Sequence, residues 1–212
     1  MIFLSFDIAS RSLAYTLMFY DKDAIKRLND VRNTGVEYLE DIARIINNCI
    51  MIKSCEVVDL TNGVKLKDSV FSLKVLELKK ILNKINQDIY AFCAEINISL
   101  DKVKVLLEYQ MSANYQANAV FNQIYYHFAE FMPIVINPCY KNKIQFSDDL
   151  CYSNFAKKYA KSYSANKAHT KENFLFFINS FNQMDKIKHI KSKNLDDAAD
   201  SFLQIFAYIN FY

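Results

Sequence analysis

Residues 1–20 read MIFLSFDIASRSLAYTLMFY. Met1 to Ile8 is apolar, rich in β-branched and aromatic residues, and reads as a buried strand. Arg11 to Tyr20 reads as a second strand after a short turn. One charge interrupts the first strand near its end: Asp7, between Phe6 and Ile8. An unpaired carboxylate inside an apolar run is costly, so this position asks for a cation.

Outward from this hairpin, Asp21-Lys22-Asp23 is a polar break. Val36, Leu39, Ile42, Ala43 and Ile46 recur at helical spacing, so residues 21–48 read as a helical insertion. Cys49 to Leu60 reads as a third strand, closed by Thr61-Asn62-Gly63. Leu66 to Ile98 is a long helical pattern, with Leu73, Leu76, Ile81, Ile85, Ile89, Phe92 and Ile96 at three- and four-residue steps. Val103 to Glu108 is a short buried strand that also ends in an acid. Gln116 to Phe131 reads as a helix. Pro133 and Pro138 bracket a fifth strand ending at Ile136. Residues 140–190 are polar, aromatic and basic, with helix-like stretches near 151–162 and 168–182. Leu195 to Phe211 is the last helix. The order is βββαβαβα with an insertion. It predicts one α/β domain over residues 1–212, a mixed five-stranded sheet with helices on both faces.

Composition excludes several chemistries. The 212 residues include only 2 Gly and 2 Pro, where average usage gives about 15 and about 10. Gly35 and Gly63 satisfy neither a P-loop nor a dinucleotide fingerprint, so no nucleotide cofactor is expected. Phosphate chemistry must then use charged side chains or metals. Five scattered cysteines without a CxxC read as reduced thiols, not as a disulfide framework or zinc site. The opening residues do not read as a signal peptide, because Asp7 interrupts their apolar run. No stretch reaches the ~18 uncharged apolar residues of a membrane span. A soluble, intracellular protein without a membrane partner is expected.

The net charge of +3 hides a gradient. Residues 141–193 hold 11 basic and 4 acidic side chains, and the last 19 residues hold three Asp and no Lys or Arg. A basic segment followed by an acidic cluster suggests a polyanion held near a cation site. Four acids stand out: Asp7 and Glu108 at strand ends, and Asp197 and Asp200 three apart on one face of the last helix. Such a set can converge on hard cations. Mg²⁺ takes oxygen ligands, and two such ions clamp the attacking and leaving oxygens of a phosphodiester displacement.

The segments FDIASRSLAYTL, LLEYQ and LDDAADSFLQ resemble the RuvC-like Holliday junction resolvases of the RNase H superfamily, in particular the poxvirus-type resolvases of large cytoplasmic DNA viruses. The shared pattern is a strand-end Asp in a DIG-like motif, an LLE-x-Q strand end, and a C-terminal D-D-x-A-D-S-F helix. The resemblance implies an RNase H-like fold, a homodimer and Mg²⁺- or Mn²⁺-dependent paired symmetric nicking of four-way DNA junctions. For a viral enzyme it implies processing of concatemeric or recombined genomes in the host cytoplasm. The resemblance places the metal-binding and catalytic acids on Asp7, Glu108, Asp197 and Asp200, with two ions per site and with the neighbouring Asp196 as the alternative ligand. Ala9 replaces the family's glycine two residues after the first acid, adding one methyl group. A broader branched-DNA or flap nuclease is the alternative, with a non-catalytic DNA-binding member of the fold behind it.

Gln110 occupies the Gln of the E-x-Q motif and is expected at the DNA or a strand edge. Lys167 and Lys171 match a basic run of the poxvirus-type enzymes. One of them is expected either at the scissile phosphate or on the DNA backbone. Lys157, Lys158 and Lys161 are further candidate DNA contacts, so residues 140–193 form the expected DNA-binding segment. Tyr152, Tyr159 and Tyr163 interleave with these lysines, either stacking on unpaired bases or packing an amphipathic helix. Phe174, Phe176, Phe177 and Phe181 read as core or dimer surface, and His127 as structural.

Overall fold

Side chains on a strand alternate between its two faces, and the first strand uses that alternation to divide the molecule. The computed structural model describes residues 1–23, 49–61, 70–111 and 113–212. In it β1 spans Ile2–Ile8 and pairs antiparallel with β2, Ser12–Tyr20. β3, Ile50–Asp59, continues antiparallel beyond β2, with a register shift between Leu17 and Met18. On the other side β4, Val103–Glu108, runs parallel to β1, and β5, Ile134–Ile136, parallel to β4. The order β3-β2-β1-β4-β5 is a mixed five-stranded sheet.

Parallel neighbours need crossovers. α1, Val70–Glu95, precedes β4, and α2, Tyr115–His127, joins β4 to β5. Three helices follow: α3, Tyr152–Lys158; α4, Ser162–Ser180; and α5, Leu195–Phe211. Ile2, Leu4, Phe6 and Ile8 pack with Leu82, Ile85 and Ile89 of α1 and Val120 and Ile124 of α2. Phe3 points the other way, into a cluster with Phe174, Phe177, Phe202 and Phe206 of α4 and α5. Helices therefore cover both faces, as the pattern predicts. Asp7 shares the parity of Phe3, so its strand presents it on the face that α5 covers.

Several boundaries differ from the sequence reading. The helical insertion expected over 21–48 lies outside the described residues except at 21–23, as do residues 66–69 of the expected long helix. The helix expected to run to Phe131 stops at His127 and tightens into a 3-10 turn over Ala129–Phe131. The helix expected from 168 begins at Ser162.

The shortage of glycine has a visible solution. Asn97 and Asn182 follow α1 and α4 in the left-handed region, at φ 54° and 51°. Asparagine tolerates that region better than most residues with a Cβ. Each turn closes with a bond from the next amide five residues back, Ile98 to Cys93 and Gln183 to Ile178, both 2.9 Å.

α5 is anchored by aromatic packing. Phe202 is fully buried, with its ring centroid 5.1 Å from that of Phe174 and 5.0 Å from that of Phe177. Phe202→Ala should cost about 3–5 kcal/mol of folding stability. Phe176→Ala, at a side chain 42% exposed, should cost under about 1 kcal/mol. Urea unfolding of both variants measures the contrast.

Candidate active site

Sheet register brings the first two acids together. β1 and β4 are parallel, with Phe6 level with Leu107. The next residues, Asp7 and Glu108, are therefore neighbours at the same end of the sheet. Both lie on the α5 face, since Leu107 joins the opposite core cluster and Leu106 the α5 cluster. In the next pair Glu108 is level with Ile136 of β5. Asn137 then accepts a bond from the Cys139 amide at 2.9 Å, and Pro138 opens a 3-10 helix over Pro138–Lys143. Proline suits that position because its fixed φ is ready for a helical turn and its missing N–H costs nothing there. This turn delivers Lys141.

The Lys141 ammonium sits at the centre of the acids. Its Nζ lies 2.8 Å from Glu108 Oε2, 3.0 Å from Asp200 Oδ2 and 4.0 Å from Asp7 Oδ1. The lysine side chain is 10% exposed, and the three carboxylates 15–18%. Burial pushes the Asp7 carboxyl well above its usual range; the Lys141 charge opposes this, and Asp200 and Glu108 add to it. Asp200 is likewise raised by burial against the pull of Lys141. Burial disfavours the charge on Lys141 itself, but Asp200, Asp7 and Glu108 outweigh it and hold its pKa above the ordinary value. One buried cation thus holds three acids together.

α5 contributes through a polar stripe. Asp197, Asp200, Ser201 and Gln204 recur at three- and four-residue steps and share a face. Gln204 Nε2 donates to Glu108 Oε2 at 2.8 Å, and its Oε1 accepts from Ser5 Oγ at 2.9 Å. Ser201 Oγ and Thr16 Oγ1 are 2.9 Å apart. Ser12 Oγ donates to Asp197 Oδ2 at 3.3 Å. These bonds satisfy polar groups that burial would otherwise leave costly. Gln204 and Lys141 thus both hold the same oxygen of Glu108, its Oε2.

The expected residues fare differently. Asp7, Glu108 and Asp200 converge. Asp197 stands at the rim beside Ser12; burial and the Asp196 charge raise its carboxyl pKa, while Lys167, the Ser12 bond and Lys141 oppose the rise. Asp196 pairs with Lys167, whose Nζ also lies 5.3 Å from the Tyr163 ring centroid. Lys167 therefore stands at the edge of the site. Lys157 and Lys158 lie on α3, Lys161 just before α4 and Lys171 on α4, and no salt bridge joins them to the acids. Gln110 Nε2 reaches only the Glu108 carbonyl, at 3.4 Å. Tyr152 packs edge-on against His169, while Tyr163 is exposed. Lys141 is the residue that sequence reasoning missed, and Gln204 is the second.

Among the described residues, no group of three or more acidic, histidine or cysteine side chains is placed to hold a metal ion. The donor set nevertheless suits one. Three buried carboxylates already surround a single cation position, and hard divalent ions prefer oxygen ligands at 2.0–2.1 Å. An ammonium is held instead at hydrogen-bond distance, about 2.7–2.9 Å.

No protein-family model and no curated protein matches the chain. Among solved structures it is similar to the fowlpox virus Holliday junction resolvase, with 19% identity and a TM-score of 0.50 over 99% of this chain and 97% of that one. It is also similar to the fowlpox virus resolvase in complex with its substrate Holliday junction DNA, with 19% identity and a TM-score of 0.49 over the same shares of both chains. A third likeness is to T. thermophilus RuvC bound to a Holliday junction substrate, with 9% identity and a TM-score of 0.43 over 99% of this chain and 94% of that one. The first similarity shows the fold: the sheet and its flanking helices share the architecture of the fowlpox virus Holliday junction resolvase.

Lys141→Met keeps a stem of similar length and removes the charge. Breaking a buried ion cluster this way should cost about 3–5 kcal/mol near neutral pH. The carboxyl pKa values of the folded variant then lie above their unfolded values. The folded state binds more protons, so stability falls as pH rises through those values and recovers as pH falls. Urea unfolding should show a larger loss at pH 8 than at pH 5. An equal loss at both would contradict the cluster's electrostatic role.

Proposed function

We propose that the protein is a structure-specific DNA endonuclease that resolves four-way junctions by paired symmetric nicks. The observation that carries the reading is the convergence of Asp7, Glu108 and Asp200 on one buried cation position at a sheet end. The similarity of fold to the fowlpox virus Holliday junction resolvase supports it. So does the excess of lysine between residues 141 and 193.

Asp7, Glu108 and Asp200, with Asp197 at the rim, would hold two Mg²⁺ or Mn²⁺ ions. When bound, such ions supply an activated water and positive charge at the 3′ leaving oxygen. The chain's own residues prepare that chemistry. Gln204 fixes the Glu108 carboxylate, and Ser12 fixes that of Asp197. The buried walls exclude bulk water and strengthen every electrostatic interaction inside them. Lys141 and Lys167 offer positive charge to the phosphate group that enters. Lys157, Lys158, Lys161, Lys171 and Gln110 contact the surrounding backbone.

Two centres are needed for symmetric nicks, so the working form is a homodimer. Tyr115 and Tyr126 on α2 and Met132 just beyond it, each at least 75% exposed, give that helix an apolar outer surface suited to a second copy. The biological role is separation of concatemeric or recombined viral DNA in the host cytoplasm.

A mobile four-way junction incubated with Mg²⁺ or Mn²⁺ tests the reading. Wild type should give paired nicks with 5′-phosphate ends. Asp7→Asn should cut at least about 10²-fold more slowly while retaining junction binding. Absence of wild-type cleavage would sink the proposal. Equal cleavage of flaps and junctions would point to the broader branched-DNA nuclease instead.

A further inference from the structure

A second, oppositely charged feature adjoins the acid cluster. The β1–β2 turn and the segment leading into α5 enclose a cavity of about 480 Å³, within the range of pre-formed ligand sites. Arg11, Lys191 and Lys193 line it, together with Ser12, Asp59 and His189. None of the three full cations makes a salt bridge among the described residues. The other titratable groups are engaged. His189 Nε2 pairs with Glu56 Oε2 at 3.0 Å, and Asp59 Oδ1 accepts from the Thr61 amide and hydroxyl at 2.8 and 2.6 Å. The lining therefore carries an excess of positive charge, three cations against the Asp59 carboxylate.

Its position gives that charge a purpose. Ser12 lines the cavity and also donates to Asp197, so the two sites share a wall. A DNA strand brought to the carboxylates carries one phosphate per 3.4 Å of axis. Only the reacting phosphate meets a cation at the acid centre; its neighbours meet carboxylates and are repelled. A strand can remain there only if cations receive the flanking phosphates. Lys141 and Lys167 stand toward α4, and Arg11, Lys191 and Lys193 stand on the side of the β1–β2 turn.

We infer that the cavity between the β1–β2 turn and residues 189–194 is a phosphodiester-binding subsite, which receives a DNA backbone phosphate flanking the bond at the acid centre. The inference rests on the nuclease reading and deepens it. Arg11 offers a planar fork that matches a phosphate bidentately. Lys191 and Lys193 act as point charges at the mouth.

The test is the salt dependence of junction binding without divalent metal. Losing one neutralised phosphate flattens the slope of log affinity against log salt by about 0.9 on duplex and about 0.7 on single strands. The variant Arg11→Ala/Lys191→Ala/Lys193→Ala, which empties the one-phosphate subsite, should flatten it by about 0.7 to 0.9, and Lys191→Ala/Lys193→Ala, which keeps the Arg11 fork, by less. Lys79→Ala/Lys80→Ala/Lys84→Ala removes the same charge from α1, on the opposite face of the sheet, and should leave the slope unchanged. Junctions carrying single neutral methylphosphonate linkages then locate the phosphate. At one or two positions beside the cut, neutralisation should weaken wild type and leave the triple variant indifferent. An unchanged slope, an equal flattening in the α1 variant, or full sensitivity of the triple variant at every position overturns the subsite while leaving the nuclease reading standing. A wild type that neither binds nor cuts junctions overturns both.

Discussion

Three neighbouring carboxylates can stay charged when withdrawn from water only if a cation is withdrawn with them. At about 3 Å and an effective dielectric near 20, the contacts of Glu108 and Asp200 with the ammonium are each worth about 5 kcal/mol of Coulomb attraction. Desolvation of each ion costs several kcal/mol in return. Lys141 therefore makes the arrangement of Asp7, Glu108 and Asp200 tolerable rather than strongly stabilising. One ammonium balances one of three negative charges. Burial first, and the repulsion among the acids after it, raise the pKa values of Asp7 and Asp200 against the pull of Lys141. A centre of this kind is short of positive charge by construction, and a divalent ion carries twice the charge of a lysine.

The scaffold fixes this centre through register, not through loops. Asp7 and Glu108 end neighbouring parallel strands, and the strand after Glu108 in the sheet leads directly into the turn that carries Lys141. α5 is locked to the sheet twice. Phe206 and Tyr208 pack against Tyr20 of β2 and Phe3 of β1, and Ser201 and Gln204 bond to Thr16 and Ser5. The aromatic contacts supply affinity between the layers. The polar ones set the rotation of α5, because a turned helix would leave buried hydroxyl and amide groups unpaired.

Much of this is legible in the sequence. β1, β2, β4, β5 and α5 are short apolar runs with clear boundaries, and the two prolines mark β5. The start of α4 is not legible, because Ser162, Ser164 and Asn166 are weak helix formers whose side chains compete for the backbone. Lys141 is hidden among eleven basic residues of one segment. Nothing in its local sequence separates it from Lys143; only the pairing of Glu108 with Ile136, and the turn that follows, select it. Gln204 closes the LDDAADSFLQ motif, but its partner lies 96 residues away. A period-two reading of Ser5 and Asp7 in β1, and of Ser12 and Thr16 in β2, points to a polar stripe on α5.

The glycine shortage acquires a physical sense here. With no glycine loop to cradle phosphate, the proposed function places that task on side-chain charge around one sheet end, acids at the centre and cations at the flanks. The measurement that tests this most directly is anomalous diffraction from crystals of the protein grown with Mn²⁺. The account predicts an anomalous peak within ligand distance of Asp7, Glu108 and Asp200, with the Lys141 ammonium withdrawn from the centre. Lys141 still seated among the three acids, with no Mn²⁺ there at concentrations that saturate the crystal, would contradict it.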